Sequence, residues 1–168
     1  LTVTGSSTVQ CDDVMVGEVW LCSGQSNMEM GIGVCLNAKE EIAAANYPGI
    51  RLLKVAKSWK PEPQSDIGGT WKVCTPETVA EGGWGGFSAC AYYFGRELHK
   101  QLGVTVGLID SSWGGTRIES WTPPEGFAAV PALKQQSELV QLGDPRSALH
   151  QQRLEKLLQE TERWLISA

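Results

Sequence analysis

The sequence predicts an α/β protein with an open, mostly parallel sheet and helices on both sides of it. Three observations carry that expectation. Strand-like apolar runs alternate with helix-like stretches along the chain. The run "VTVGLI" at 104–109 is almost wholly apolar, as suits a strand covered on both faces. Two such runs break abruptly into glycine-containing turns, "SGQSN" at 23–27 and "SSWGGT" at 111–116. A chain of 168 residues is long enough for one compact domain with a real core.

The elements follow in order. Residues 1–12 alternate loosely (Leu1, Val3, Val9) and read as a strand or two. Residues 13–22 read as a strand with Val14, Val16, Val19 and Leu21 as its apolar members, feeding the first break. Asn37-Ala38-Lys39-Glu40 has the spacing of a capping box and opens a helix to about Ala45, which Asn46-Tyr47-Pro48-Gly49 stops. Residues 50–56 form the second parallel strand. Residues 57–86, rich in Pro, Gly and Ser and carrying Trp59, Trp71 and Trp84, read as a functional surface loop. Ser88 caps a helix with Ala91, Phe94, Leu98 and Leu102 on one face, and Gly103 ends it. The third strand at 104–109 runs into the second break. Beyond Pro131, Leu149, Leu154, Leu157, Leu158, Trp164 and Leu165 mark an amphipathic helix over 147–166. Strands alternating with helices imply right-handed crossovers, and ligands of such sheets bind beyond the carboxyl ends of the strands. Both breaks belong to that edge.

Composition narrows the function classes. With 42% hydrophobic and 20% charged residues the chain is ordinary globular material. Its net charge of −5 argues against nucleic acid or an anionic membrane as partner. No window approaches the roughly 18 apolar residues of a membrane span. No basic region followed by an apolar core suggests a signal peptide, although "LTVTG" reads as the middle of something. Cys11, Cys22, Cys35, Cys74 and Cys90 show no C-x-x-C pair. Cys22 and Cys90 read as small buried hydrophobes, whereas Cys11, Cys35 and Cys74 could pair in an exported protein. Asp12-Asp13 has no second cluster to complete a metal site, so neither metal nor cofactor is expected.

The breaks carry the chemistry. A serine hydroxyl attacks only when a base takes its proton and backbone N–H groups receive the oxyanion. Ser26, between a strand end and a helix start, would be exposed for that role. Gly114 and Gly115 would let main chain approach a substrate closely. Gln25 and Asn27 add neutral donors and acceptors. The plainer alternative is that Ser26 is a helix cap and Gly114-Gly115 a turn. A base is harder to find. His99 lies in the last turn of the 88–102 helix and His150 on the polar side of the last helix, and neither has an acidic neighbour in a loop to orient it. Asp110, at the end of the third strand, assists catalysis or bonds nearby backbone.

"DDVMVGEVWLCSGQSNMEM" (12–30), "GFSACAYYFGRELHKQLGVTVGLIDSSWGGTRIESW" (86–121) and their separation resemble the sialate O-acetylesterase family, one of the SGNH-hydrolase-like carbohydrate esterases. The likeness runs from about 12 to 122, two thirds of the chain, on two long motifs in the right order. It implies a three-layer α/β/α sandwich and a serine esterase that removes acetyl groups from sugar hydroxyls, notably of sialic acids. Carried over by position, Ser26 is the nucleophile and its own N–H one oxyanion donor. Gly114 or Gly115 supplies a second donor. Ser88 also matches a family position but reads as the cap. Gln25, Asn27 and Trp113 are candidate substrate contacts. Trp113 with the loop tryptophans would form a sugar platform, unless they simply pack.

The family continues to a W-Y-Q-G-E segment with further donors and a D-x-x-H segment with the catalytic His and its acid; neither string occurs here. The resemblance therefore implies that 1–11 is the last strand of a preceding β-rich domain. Residues 12–168 would be the N-terminal part of the esterase domain, with 131–168 a helical segment. The His and acid would lie on a second polypeptide or a further C-terminal segment. A secreted, periplasmic or lysosomal location goes with the family. Two other readings stand beside this one: a catalytically incomplete carbohydrate-binding or partner-docking fragment of the same fold, and an esterase of xylan acetyl groups.

Overall fold

A computed structural model describes residues 1–60 and 62–167. They divide into two compact units, Leu1–Thr116 and Arg117–Ala168. The first unit opens on an exposed antiparallel hairpin, β1 (Thr2–Thr4) and β2 (Thr8–Gln10), paired at Val3↔Val9. Its main sheet comprises β3 (Gly17–Gly24), β4 (Tyr47–Lys54), β5 (Lys72–Cys74) and β6 (Thr105–Ser112) in the order β3-β6-β4-β5. The first three neighbours run parallel and β5 is antiparallel to β4. The α/β class and the mostly parallel sheet are as the sequence predicts.

Alternation along the strands decides where the core lies. Cys22 of β3, Ile50 and Leu52 of β4, and Val106 and Leu108 of β6 form one buried cluster with Ile32, Val79, Phe87, Ala91 and Tyr92. Full burial of each larger aliphatic chain there contributes about 1.5–3 kcal/mol. At the alternate positions of β3, Val19 and Leu21 are 62% and 67% exposed. Further across that face, Trp71 lies over Gly107 and Leu53 is buried.

Four helices accompany the sheet: α1 (Ser26–Glu29), α2 (Ala38–Ala43), α3 (Pro76–Ala80) and α4 (Ala89–Leu102). The longest, α4, follows its sequence signals. Ser88 Oγ accepts from Ala91 N at 3.2 Å, Gly103 closes the helix with φ 66°, and Phe94 packs edge-on against Trp20 at 5.0 Å.

Elsewhere local signals are overridden. Asn37 precedes α2 in the left-handed conformation (φ 57°) with no side-chain cap, so the expected capping box does not form. Asn tolerates that conformation better than most residues. Strand β4 begins at Tyr47 and runs through Pro48-Gly49, which were expected to lie before it. A register shift against β5 between Tyr47 and Arg51 makes room for the proline. The 57–86 loop contains β5 and α3, the latter opened by a reciprocal Thr75–Thr78 capping box.

The second unit holds α5 (Pro124–Ala128), α6 (Lys134–Gly143) and α7 (Ala148–Ser167), with Phe127 buried. Helix α7 matches the expected 147–166 closely, and its Leu154, Leu157, Leu158, Trp164 and Leu165 are exposed. Among the described residues no helix is long and apolar enough to cross a membrane.

Candidate active site

The strand register brings the two breaks together. Gly24, closing β3, stands opposite Ser112, closing β6, and Trp113 N donates to Gly24 O at 2.9 Å. Ser26 is the first residue of α1 and Gln25 occupies the capping position without a side-chain bond. The hydroxyl of Ser26 therefore caps nothing. It is half-buried, and among the described residues Ser26 Oγ has no hydrogen-bond partner. The same holds for the amides of Ser26, Asn27 and Gly115.

Gly114 closes the other side. A Cβ on it would lie 2.8 Å from Glu29 Oε2 and 3.4 Å from Ser26 Oγ, so a side chain here would crowd the carboxylate and touch the serine. Its own N–H donates to Glu29 Oε2. Of the two glycine amides expected as oxyanion donors, that of Gly114 is thus engaged, while Gly115, at φ 77°, keeps its amide free. The pair is a turn, as the plainer reading held, and it also adjoins the serine.

Glu29 is buried and accepts from both the Gly114 amide and the Lys57 ammonium. The Lys57 hydrogen bond, then the Gly114 amide, hold its carboxyl below the ordinary carboxylate range, against the opposing effect of burial. Lys57 Nζ also sits 5.6 Å from the centre of the Trp113 ring. Asp110 is 1% exposed: its Oδ1 accepts from Ser112 Oγ, and Lys54 Nζ is 3.8 Å from Oδ2. Burial pushes its carboxyl up, with Ser112 and Lys54 pulling the other way. Asp110 thus serves the strand ends. A cavity of about 650 Å3 opens beside Glu29 and Lys57, with Lys54, Lys72, Glu81 and Trp84 in its wall. The sequence reading passed over Glu29 and Lys57; the signal for the first is an acid set between Met28 and Met30, three positions after Ser26.

With this geometry in place, the family described as carbohydrate esterase, sialic acid-specific acetylesterase, matches residues 16–156. The chain belongs to that family. Sialate O-acetylesterases of Homo sapiens (38% identical over 134 residues, 77% of this chain) and Rattus norvegicus (37% over 130 residues, 75% of this chain) are similar to it. Only 26% and 24% of those proteins is matched, so the chain spans about a quarter of the length of these relatives. A carbohydrate acetylesterase from Xanthomonas citri has a similar crystal structure, with a TM-score of 0.62 and 41% identity, covering 70% of this chain and 26% of that one.

Against the family's pattern, neither histidine is a partner of Ser26 within the unit that carries it. His99 Nδ1 is 2.6 Å from Val104 O, and its ring faces Gly49 and Tyr47 at the start of the parallel strands. At about 3.3 Å per residue, the length of β3 and β6 separates it from Ser26 by roughly 20 Å. His150 Nδ1 lies 2.8 Å from Leu142 O in the second unit. Asp144, nearby in that unit, is held by Arg146 and does not bond the ring.

The side chains of Gln25 and Asn27 are exposed. The tryptophans do not form one platform. Trp113 lies by Lys57 and Trp84 lines the large cavity. Trp71 packs on Gly107, beside a second cavity of about 510 Å3 at the other end of the sheet, with Asp12, Asp13 and Arg51. One cysteine expectation is corrected, the burial of Cys90. Cys90 is exposed and Cys74 buried, with burial pushing its thiol up to about 11; all five cysteines are free.

Proposed function

We propose that this chain carries the nucleophile of a serine esterase that removes O-acetyl groups from sugars, most specifically from sialic acids. One observation carries the reading: a serine hydroxyl with no structural employment, at the carboxyl edge of a parallel sheet, in contact with a glycine turn. Family membership and the sialate O-acetylesterase relatives support the substrate class.

In the complete enzyme, a histidine supplied by polypeptide outside these 168 residues takes the Ser26 proton. Oγ attacks the acetyl carbonyl carbon, and the oxyanion is received by the N–H groups of Ser26 and Gly115. Collapse expels the sugar oxygen, which takes the proton back from the imidazolium. Water, deprotonated by the same histidine, then releases acetate and restores Ser26. A single oxyanion donor of this kind is worth about 3–4 kcal/mol of barrier. Gln25, Asn27 and Trp113 serve as substrate contacts.

A fluorophosphonate probe tests the nucleophile: labelling of Ser26 in the complete enzyme is expected. No labelling leaves the alternative of a carbohydrate-binding fragment, which the position of His99 favours. Acetate release from O-acetylated sialic acid, compared with acetylated xylan, tests the substrate, and a preference for xylan would overturn that part.

A further inference from the structure

Glu29 joins the loops that follow three adjacent parallel strands. It stands on α1 directly after β3 and receives Lys57, three residues beyond the end of β4. It also receives the Gly114 amide, two residues beyond the end of β6. Those partners lie 28 and 85 residues away in sequence, so no local rule produces the arrangement. Among the described residues the turn at Gly114 has no other hydrogen bond to α1, and a Cβ on Gly114 would stand 3.4 Å from Ser26 Oγ.

Resting on the reading of Ser26 as nucleophile, we propose that Glu29 is a positioning residue: its carboxylate clips the Gly114–Gly115 turn to α1 and so sets the distance between Ser26 Oγ and the free Gly115 amide, with Lys57 holding the carboxylate in place. Using one glycine amide for the clip and the next for the oxyanion explains why the turn has two glycines. Gly114 must come within contact of Ser26 and Glu29, and Gly115 must adopt φ 77° to present its N–H. The carboxylate is suited to the task because two charge-assisted bonds hold it from opposite loops. Glu29 touches neither substrate nor the transferred proton in this scheme.

The test measures kcat and KM of the complete enzyme toward a simple acetyl ester for the parent and for Glu29→Ala, Glu29→Gln and Lys57→Met, with hydrogen exchange at the Gly114 amide. Displacing catalytic donors by about an ångström costs on the order of 100-fold, so Glu29→Ala is expected to lower kcat by about that factor with KM little changed. Glu29→Gln keeps an oxygen for the Gly114 N–H and should recover most of the loss. Exchange at Gly114 should be slow in the parent and in Glu29→Gln, and fast in Glu29→Ala. Lys57→Met should lower kcat a few-fold, and this variant decides the matter together with Glu29→Gln if the alanine variant does not fold.

Unchanged kcat in Glu29→Ala, a loss confined to KM, or Glu29→Gln as impaired as Glu29→Ala would overturn the clip. Probe labelling of Ser26 in the parent separates the two ideas. Labelled Ser26 with unchanged kcat in the variants removes the clip alone, whereas unlabelled Ser26 removes the nucleophile and the clip's purpose with it.

Discussion

The chain contains the pattern Gly-x-Ser before a helix twice, as Gly24-Gln25-Ser26 and Gly86-Phe87-Ser88, and the two serines end in opposite roles. At α4 the helix begins one residue after the serine, so Ser88 is the cap: its hydroxyl is wholly buried and bonded to the Ala91 amide. At α1 the helix begins on the serine itself, Gln25 takes the capping position, and the hydroxyl points at no protein group among those described. A frame shift of one residue separates a capping serine from one whose hydroxyl caps nothing. The two sites are linked, since Ser88 Oγ lies 3.6 Å from Met28 Sδ on α1, the helix that Ser26 opens. The buried serine thus supports the helix that carries the half-buried one.

Substitutions can break this contrast directly. The largest effect is expected from Ser26→Ala in the complete enzyme, with esterase turnover falling by roughly 10⁶-fold and the melting temperature nearly unchanged. Turnover that survives in this variant removes Ser26 from the chemistry. Next comes Gly114→Ala, whose Cβ would stand 2.8 Å from Glu29 Oε2 and 3.4 Å from Ser26 Oγ. Either the Glu29 carboxylate or the turn must give, the Gly114–Glu29 bond is disturbed in both cases, and kcat is expected to fall by up to about 100-fold.

Ser88→Ala reverses the pattern. Loss of a cap costs about 1 kcal/mol, lowering the melting temperature by a few degrees, with turnover kept within a few-fold of the parent. A collapse of turnover there, without loss of stability, would erase the distinction between the serines.

The pH dependence of stability sharpens the same picture. Glu29 is held below its ordinary 4.5, chiefly by Lys57, with Lys54 adding to the effect and buried Asp110 as its acidic neighbour. Its stabilising contribution is therefore complete above the unfolded value and is lost as pH falls through the lowered folded one. Thermal melts of the parent and of Glu29→Gln should differ at neutral pH and converge in acid. His99→Ala is expected to change turnover least, because its ring lies at the far end of the strands.

Much of this was legible in the sequence because it depends on local chemistry. The strand feeding "SGQSN", the α4 helix with its Ser88 cap and Gly103 stop, and the late amphipathic helix all follow from periodicity and capping. Family motifs pointed to Ser26 where spacing alone favoured a helix cap. What escaped depends on tertiary placement. Strand β5 has three residues and α3 five, too short for any period to show. Cys90, expected to be buried, is exposed because the packed face, not the apolarity of neighbours, decides burial. Glu29 gains its two partners from loops far along the chain, so the engagement of the Gly114 amide could not be read from local sequence.

Strand β3 forms one border of the main sheet, eight residues long, with Val19 and Leu21 open to water. Its outward row of main-chain donors and acceptors is a ready template for another extended segment. Handled by themselves at high concentration, these residues will tend to stick to one another along that border, and a charged substitution at Leu21 is the simplest means of keeping them apart.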